Sequence, residues 1–267
     1  MFAITIDVEP DLHTGAFRGV TEGLARLKRL LDTRQIKATL FVTCDCLERH
    51  PDIFRTWARE GHEIALHGYR HRRYDELLNK EAEIEQALES FRRHLGLPPL
   101  GFRAPQHSID TKTLEVLRQT GFRYDSSYTP WNVLQLLFFP KKFSLWVRQF
   151  FSNNRPYRIR GRLWEIPPSA LLMPLVSLPL RLFPPLLLKG FVRLMAWTHP
   201  VLVFYAHSWD FIEVPQSRLY RACPLERFIK RFDFFLLLLK KTGKSTTLRG
   251  CVPHDRLAQP SALSSAR

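Results

Sequence analysis

A chain of 267 residues, 45% of them apolar, can bury a sizeable core, and one large α/β domain suits that length better than two small ones. Its 40 Lys and Arg against 25 Asp and Glu leave a formal charge of +15, which implies an anionic partner: nucleic acid, a phosphorylated substrate or acidic lipid. The pair Cys44-Asp45-Cys46 lacks the second pair that a structural zinc site needs, so Cys44, Cys46, Cys223 and Cys251 are expected to be reduced structural thiols. No export signal is recognisable at Met1–Asp7, and a cytoplasmic location is the expectation.

In chain order, Phe2 to Ile6 is an apolar run ending in a carboxylate, as a buried parallel strand does. Val20, Leu24, Leu27 and Leu31 then follow at helical spacing. Lys37 to Val42 repeats the strand pattern, and Pro51 opens a helix carrying Ile53, Phe54 and Trp57 that Gly61 terminates. A third strand, His62 to Leu66, precedes a long helix with the stripe Leu77, Ile84, Leu88, Phe91 and Leu95, stopped by Gly96. Further strands are predicted at Leu100 to Arg103, Phe122 to Tyr124, Leu163 to Ile166, Val201 to Tyr205 and Thr246 to Arg249. Helices are predicted near 110–120, 185–196 and 224–241. Such alternation implies a parallel sheet, doubly wound or closed as a barrel.

The aromatic and basic stretch Trp131 to Arg162 reads as an insertion in a domain spanning 1–252, and 253–267 as a disordered tail. Leu171 to Leu188 is strongly apolar, but Pro174, Pro179, Arg181, Pro184 and Pro185 interrupt it, which argues against a spanning helix. Phe138 to Phe151 and Leu171 to Leu194 mix long apolar side chains with Lys141, Lys142, Arg148, Arg181, Lys189 and Arg193, as a surface lying on anionic lipid does. Ordinary helix packing is the alternative.

The chemistry-bearing residues fall where predicted parallel strands end: Asp7 and Glu9, His67 and His71, Arg103, and His207. In α/β barrels that end holds the active site. His67-Gly68-Tyr69-Arg70-His71 spaces two imidazoles so that both can aim at one ion. Two His and one carboxylate make a catalytic zinc-type set with open positions for water and substrate. In Asp7-Val8-Glu9 one acid can hold the metal while the other takes a proton from water. Arg103-Ala104-Pro105 presents a cation able to hold a catalytic carboxylate ionised, and Asp210 lies near enough in sequence to orient His207.

In order, Thr5-Ile6-Asp7-Val8-Glu9, His67-Gly68-Tyr69-Arg70-His71, Phe102-Arg103-Ala104-Pro105, Tyr124-Asp125-Ser126-Ser127 and Tyr205-Ala206-His207-Ser208-Trp209 resemble the motifs of the polysaccharide deacetylase family, the NodB-homology or carbohydrate esterase family four group. The resemblance implies an α/β fold, a distorted (β/α)7-type barrel in a single domain, and a divalent metal, usually zinc. The implied reaction is hydrolysis of an N-acyl group, most readily N-acetyl, from an amino sugar. By position it makes Asp7 the general base, His67 and His71 metal ligands, Arg103 the residue that positions Asp7, and His207 the general acid. Tyr69, Pro105, Asp125 and Trp209 are the expected substrate contacts. Many relatives carry two adjacent aspartates in the first motif; Val8 takes the second place here, so the carboxylate ligand is expected at Glu9.

Phe17-Arg18-Gly19-Val20-Thr21-Glu22-Gly23 also looks like deacylases acting on polyprenyl-phosphate-linked amino sugars, deformylases included, so a lipid-linked hexosamine in an intracellular, membrane-peripheral setting is the favoured substrate. A metal-free allantoinase-like amidohydrolase would share the barrel, but the intact His67/His71 pair argues against it. No nucleic-acid partner is expected, because no helix-turn-helix, zinc-finger or RNA-platform signature accompanies the charge.

Overall fold

A computed structural model describes residues 1–133, 147 and 149–252. The expected tail at 253–267, and Phe138, Lys141, Lys142 and Arg148 of the expected insertion, lie outside the described residues. Strand β1 (Phe2–Val8) is buried along its whole length and runs through a π-helical turn at Gly19–Gly23 into α1 (Leu24–Arg34). There Val20, Leu24, Leu27 and Leu31 all point into the core, as their spacing predicts. The unit repeats with β2 (Ala38–Val42), α2 (Cys44–Arg49) and α3 (Pro51–Arg59), then β3 (Glu63–Leu66) and α4 (Lys80–Leu95). Short strands β4 (Gly101–Phe102) and β5 (Tyr124–Asp125) flank α5 (Thr111–Gln119).

The second half holds β6 (Tyr157–Arg160), β7 (Leu163–Glu165), β8 (Ala170–Leu171), β9 (Met173–Pro174), α6 (Ser177–Leu182), α7 (Pro185–Thr198), β10 (Leu202–His207), α8 (Arg218–Ala222) and α9 (Leu225–Thr242). The 8-stranded sheet runs β10-β1-β2-β3-β4-β5-β7-β6, parallel except for the β6–β7 pair. It is a curled half-barrel whose ladder ends at β10 and β6 rather than closing on itself. Parallel strands covered on both faces must be apolar throughout, and the first two strands are buried at every position.

Two expectations are corrected. Thr246 to Arg249 is no strand: Ser245 makes a single bridge to Phe2, and a 3₁₀ turn follows at Leu248–Cys251. Beyond Phe2 the other edge of β1 is taken by β2 from Ile4 onward, so side chains satisfy the next backbone groups, Leu248 N donating to Thr39 Oγ1 and Arg249 N to Glu63 Oε2 at 2.9 Å each. Leu77 precedes its helix, which begins at Lys80 because Asn79 accepts from Ala82 N and acts as the N-cap. Within the segment read as an insertion, Tyr157–Arg160 joins the sheet as an antiparallel edge whose arginines face outward, a charged edge that discourages further pairing.

Candidate active site

Parallel pairing assembles the site. In the β1–β10 ladder Asp7 is the register partner of His207, and β1 carries Glu9 one residue beyond its end. His67 follows β3 directly, and the chain then turns through Gly68, at φ 81°, before presenting His71. A side chain at Gly68 would press on both Tyr74 and Pro105, so glycine is required there by space as well as by backbone conformation.

Glu9, His67 and His71 bring one ligand atom each within 4.8 Å of one another. His67 Nε2 lies 3.9 Å from Glu9 Oε2, and His71 Nε2 contacts the same oxygen. His67 Nδ1 donates to the Arg103 carbonyl at 2.9 Å, which leaves Nε2 with its lone pair toward Glu9. Burial, only partly offset by Asp7 and Glu9, lowers the His67 pKa to about 4, so the ring is neutral near pH 7 and able to ligate. Glu9 Oε2 itself is buried without a hydrogen-bond donor. An orphaned carboxylate oxygen crowded by imidazole nitrogens fits a divalent cation, and the two-nitrogen, one-oxygen donor set suits zinc.

Asp7 stands beside this cluster with a different partner. Arg103 is fully buried and donates from Nη1 to Asp7 Oδ1 at 2.7 Å and to Thr5 Oγ1 at 2.9 Å; its Nε and Nη2 go to Ser126 O and Oγ, both 2.9 Å away. Its guanidinium lies 4.1 Å from the Phe41 ring centroid. Burial alone would raise the Asp7 pKa, but Arg103, with His67, His207 and His107 contributing, overrides it and holds the carboxyl well below the usual range.

His207 Nε2 is 3.7 Å from Glu9 Oε1, and the ring stacks on Trp209, centroids 4.3 Å apart and 7° from parallel. Asp210 accepts from the His207 backbone N–H at 2.9 Å and lies 3.9 Å from Nδ1. Asp210 is in turn gripped by Arg181 of α6 and by the Tyr220 hydroxyl.

The structure thus brings Asp7, Glu9, His67, His71, Arg103 and His207 together. Of the expected substrate contacts, Trp209 sits against His207 and Pro105 is buried beneath Gly68. The Tyr69 hydroxyl turns away to donate to Glu48 of α2. Asp125 is fully buried, accepts from Ser127 Oγ at 2.6 Å and pairs across the sheet with Glu165. Burial raises both of those carboxyls.

Sequence reasoning missed His107 and Glu165, and it quoted Thr5 and Ser126 within motifs without giving either a role. His107 donates from Nδ1 to Ser127 O, lies edge-on to Tyr205 at 5.1 Å, and is held neutral by burial and by Arg103, its pKa lowered to about 4. Gln106 and His107 both have positive φ, a strained backbone for residues other than glycine. Glu165 carried one readable signal, an acid inside an apolar strand; His107 carried none.

Asp32, Glu60 and His62 form another acidic group, but Lys28 bridges both of its carboxylates at 2.6 and 2.5 Å. His62 Nδ1 accepts from Ala38 N, so its Nε2 bears the proton and cannot ligate.

Residues 1–124 match the sequence model of the polysaccharide deacetylase family. The chain is 34% identical over 121 residues to a peptidoglycan deacetylase-like protein of Gibberella zeae, an alignment covering 44% of this chain and 36% of that protein. It is 29% identical over 134 residues to a peptidoglycan deacetylase of Helicobacter pylori, covering 48% and 45%. The chain therefore spans less than half the length of these curated relatives. A Mycobacterium smegmatis structure assigned to the polysaccharide deacetylases superposes with a TM-score of 0.67 at 20% identity over 94% of this chain and 88% of that one. The structure of Puue allantoinase superposes at 0.65 and 16% identity, over 94% of this chain and 88% of that one. The α/β half-barrel is accordingly shared with these structures, and the matched residues 1–124 include Asp7, Glu9, His67, His71 and Arg103 but not His207.

Proposed function

We propose that the protein is a metal-dependent carbohydrate N-deacylase that removes an acetyl group from an amino sugar. The observation that carries this reading is the convergence of Glu9, His67 and His71 beside an ionised Asp7 and a Trp209-stacked His207. Glu9, His67 and His71 would hold the metal, most readily zinc, which polarises the acyl oxygen and acidifies water when bound.

An amide needs an activated water and a proton for its leaving nitrogen. Asp7, kept ionised by Arg103, accepts the proton of the attacking water. Arg103 cannot swing away, because its remaining donors are fixed on Thr5 and Ser126. On the other side of Glu9, His207 gives a proton to the amine nitrogen as the carbon–nitrogen bond breaks. Trp209 fixes the imidazole plane, and Asp210 fixes the backbone beneath it.

The proposed substrate is a polyprenyl-phosphate-linked N-acetylhexosamine. That choice is supported by the basic and apolar composition between β5 and β10 and by the stretch Phe17–Gly23. The test is mass spectrometry of such a lipid incubated with zinc-loaded and with chelator-treated protein. Loss of one acetyl group in the zinc-loaded sample alone is expected. Loss of formyl from the N-formyl analogue instead would reassign the acyl group, and no hydrolysis of lipid-linked or soluble amino sugars would overturn the reading.

A further inference from the structure

Helix α7 is apolar on both sides. Leu188, Val192 and Met195 pack inward, whereas Leu186, Leu187, Leu194 and Trp197 are 78, 60, 45 and 84% exposed on the opposite side. A surface helix normally turns charge to water on its outer face, and a contiguous apolar stripe there marks an interaction surface. The patch extends beyond the helix: Trp131 lies 6.1 Å from the His199 ring just past the end of α7, and exposed Phe151 adjoins the residue that pairs with Trp131.

Charge decides what this face fits. Between Asp125 and Asp210, both fully buried, the chain has a single acid, Glu165, also fully buried, against ten Lys and Arg. Of those cations, Arg193 is exposed on α7 itself, Lys189 is half-buried on the same helix, and exposed Arg155 follows Asn154, whose side chain bonds the Thr198 carbonyl. Apolar anchors flanked by Lys189 and Arg193, in a segment whose single acid is buried, match a bilayer of anionic lipids. A second copy of the chain is disfavoured, since a two-fold contact would place the same cations against one another with no acid to compensate. The helix has 14 residues, and no helix among the described residues is long and apolar enough to cross a membrane.

We infer that the outer face of α7 docks the protein on the surface of an anionic bilayer, with Leu186, Leu187 and Trp197 entering the headgroup–acyl boundary. The site is close in connectivity. Helix α6 immediately precedes α7, and its buried Arg181 binds Asp210, which holds the His207 backbone. This deepens the lipid-linked substrate proposed above but rests on different observations, and it can be tested without turnover.

Full-length protein would be co-sedimented with vesicles of phosphatidylcholine alone and with vesicles that also contain phosphatidylglycerol. About tenfold or more binding to the anionic vesicles is expected, falling with added salt. The variant Leu186→Ser/Leu187→Ser/Trp197→Ser should lose it with its circular dichroism unchanged, and Lys189→Glu/Arg193→Glu should erase the preference for anionic lipid. Asp7→Asn, which disables the proposed hydrolysis, should bind as the wild type does. Absence of sedimentation, equal binding to both vesicles, or undiminished binding by the serine variant would overturn the inference. So would a concentration-dependent dimer that the serine substitutions dissolve.

Discussion

Arg103 is the one fully buried cation among the groups that touch Asp7, and its hydrogen bonds tie Asp7 to Thr5 and Ser126. Removing one partner of a buried ion pair leaves the other charge uncompensated, so Arg103→Met should lower unfolding stability by about 3–5 kcal/mol in a denaturant titration. Arg103→Lys keeps the charge but cannot reach Thr5, Asp7 and Ser126 together, and should restore folding better than it restores turnover. Asp7→Asn should cut kcat by roughly 10²–10⁴-fold while zinc content, read by elemental analysis, stays at the wild-type level. His67→Ala should do the reverse at the metal, with zinc lost and the fold retained.

These residues differ in how far the sequence disclosed them. His67 and His71 announce themselves by spacing, and Asp7 and Glu9 by ending a buried strand. His107 acts through a backbone contact to Ser127 that no local pattern encodes, and the motif that holds Ser126 does not disclose its bonds to Arg103. Tyr69 shows the converse: it sits between His67 and His71 in sequence, yet the turn at Gly68 sends its hydroxyl toward α2.

Among the elements, those with a strong period and a clear stop were legible before any coordinates: α1 by its leucines, α3 by Pro51 and Gly61, α4 by Gly96. Strands of two residues such as β4 and β5 exist because neighbours pair with them, and the β6–β7 hairpin hides in an arginine-rich stretch. At β4, a Cβ on Gly101 would collide with the Tyr124 ring, which cannot retreat because its hydroxyl is bonded to Glu63. Gly101→Ala should therefore cost about 1–3 kcal/mol in chemical denaturation, despite adding only a methyl group.

At the entry to β3, His62 accepts from Ala38 N of β2, and burial, with Lys37 adding to it, lowers its pKa from 6.5 to about 4. Protonation then favours the unfolded chain. The stability due to the neutral ring is whole above pH 6.5 and drains as pH falls toward 4, by up to about 3 kcal/mol. Burial of Asp125 and Glu165 works with the opposite sign, since a raised carboxyl loses stability as pH rises. The contribution of His62 is thus isolated by the difference between wild-type and His62→Asn melting curves, which should narrow from pH 7 to pH 4.

For the molecule as a whole, a cation held by Glu9, His67 and His71 would tie the end of β1 to the segment after β3, and binding to the folded state alone is stabilising. Zinc at about 100 times its Kd should add about 2.7 kcal/mol and raise Tm in calorimetry, with chelator reversing the gain. Glu9→Ala should abolish that response; an unchanged zinc shift in the variant would move the metal away from this cluster.

The pairing of Asp7 with His207 carries a temporal consequence. The two residues are neighbours on the sheet but lie at opposite ends of the chain, and the ladder that joins them is the β1–β10 pair. Local units such as β1–α1 and β3–α4 can form early, whereas this contact must await closure of nearly the longest loop the chain can make. During synthesis the segments bearing Glu9, His67 and His71 emerge from the ribosome long before β10 does, so under the proposed mechanism the cation site would be complete before its proton donor, and hydrolysis would have to wait for β10.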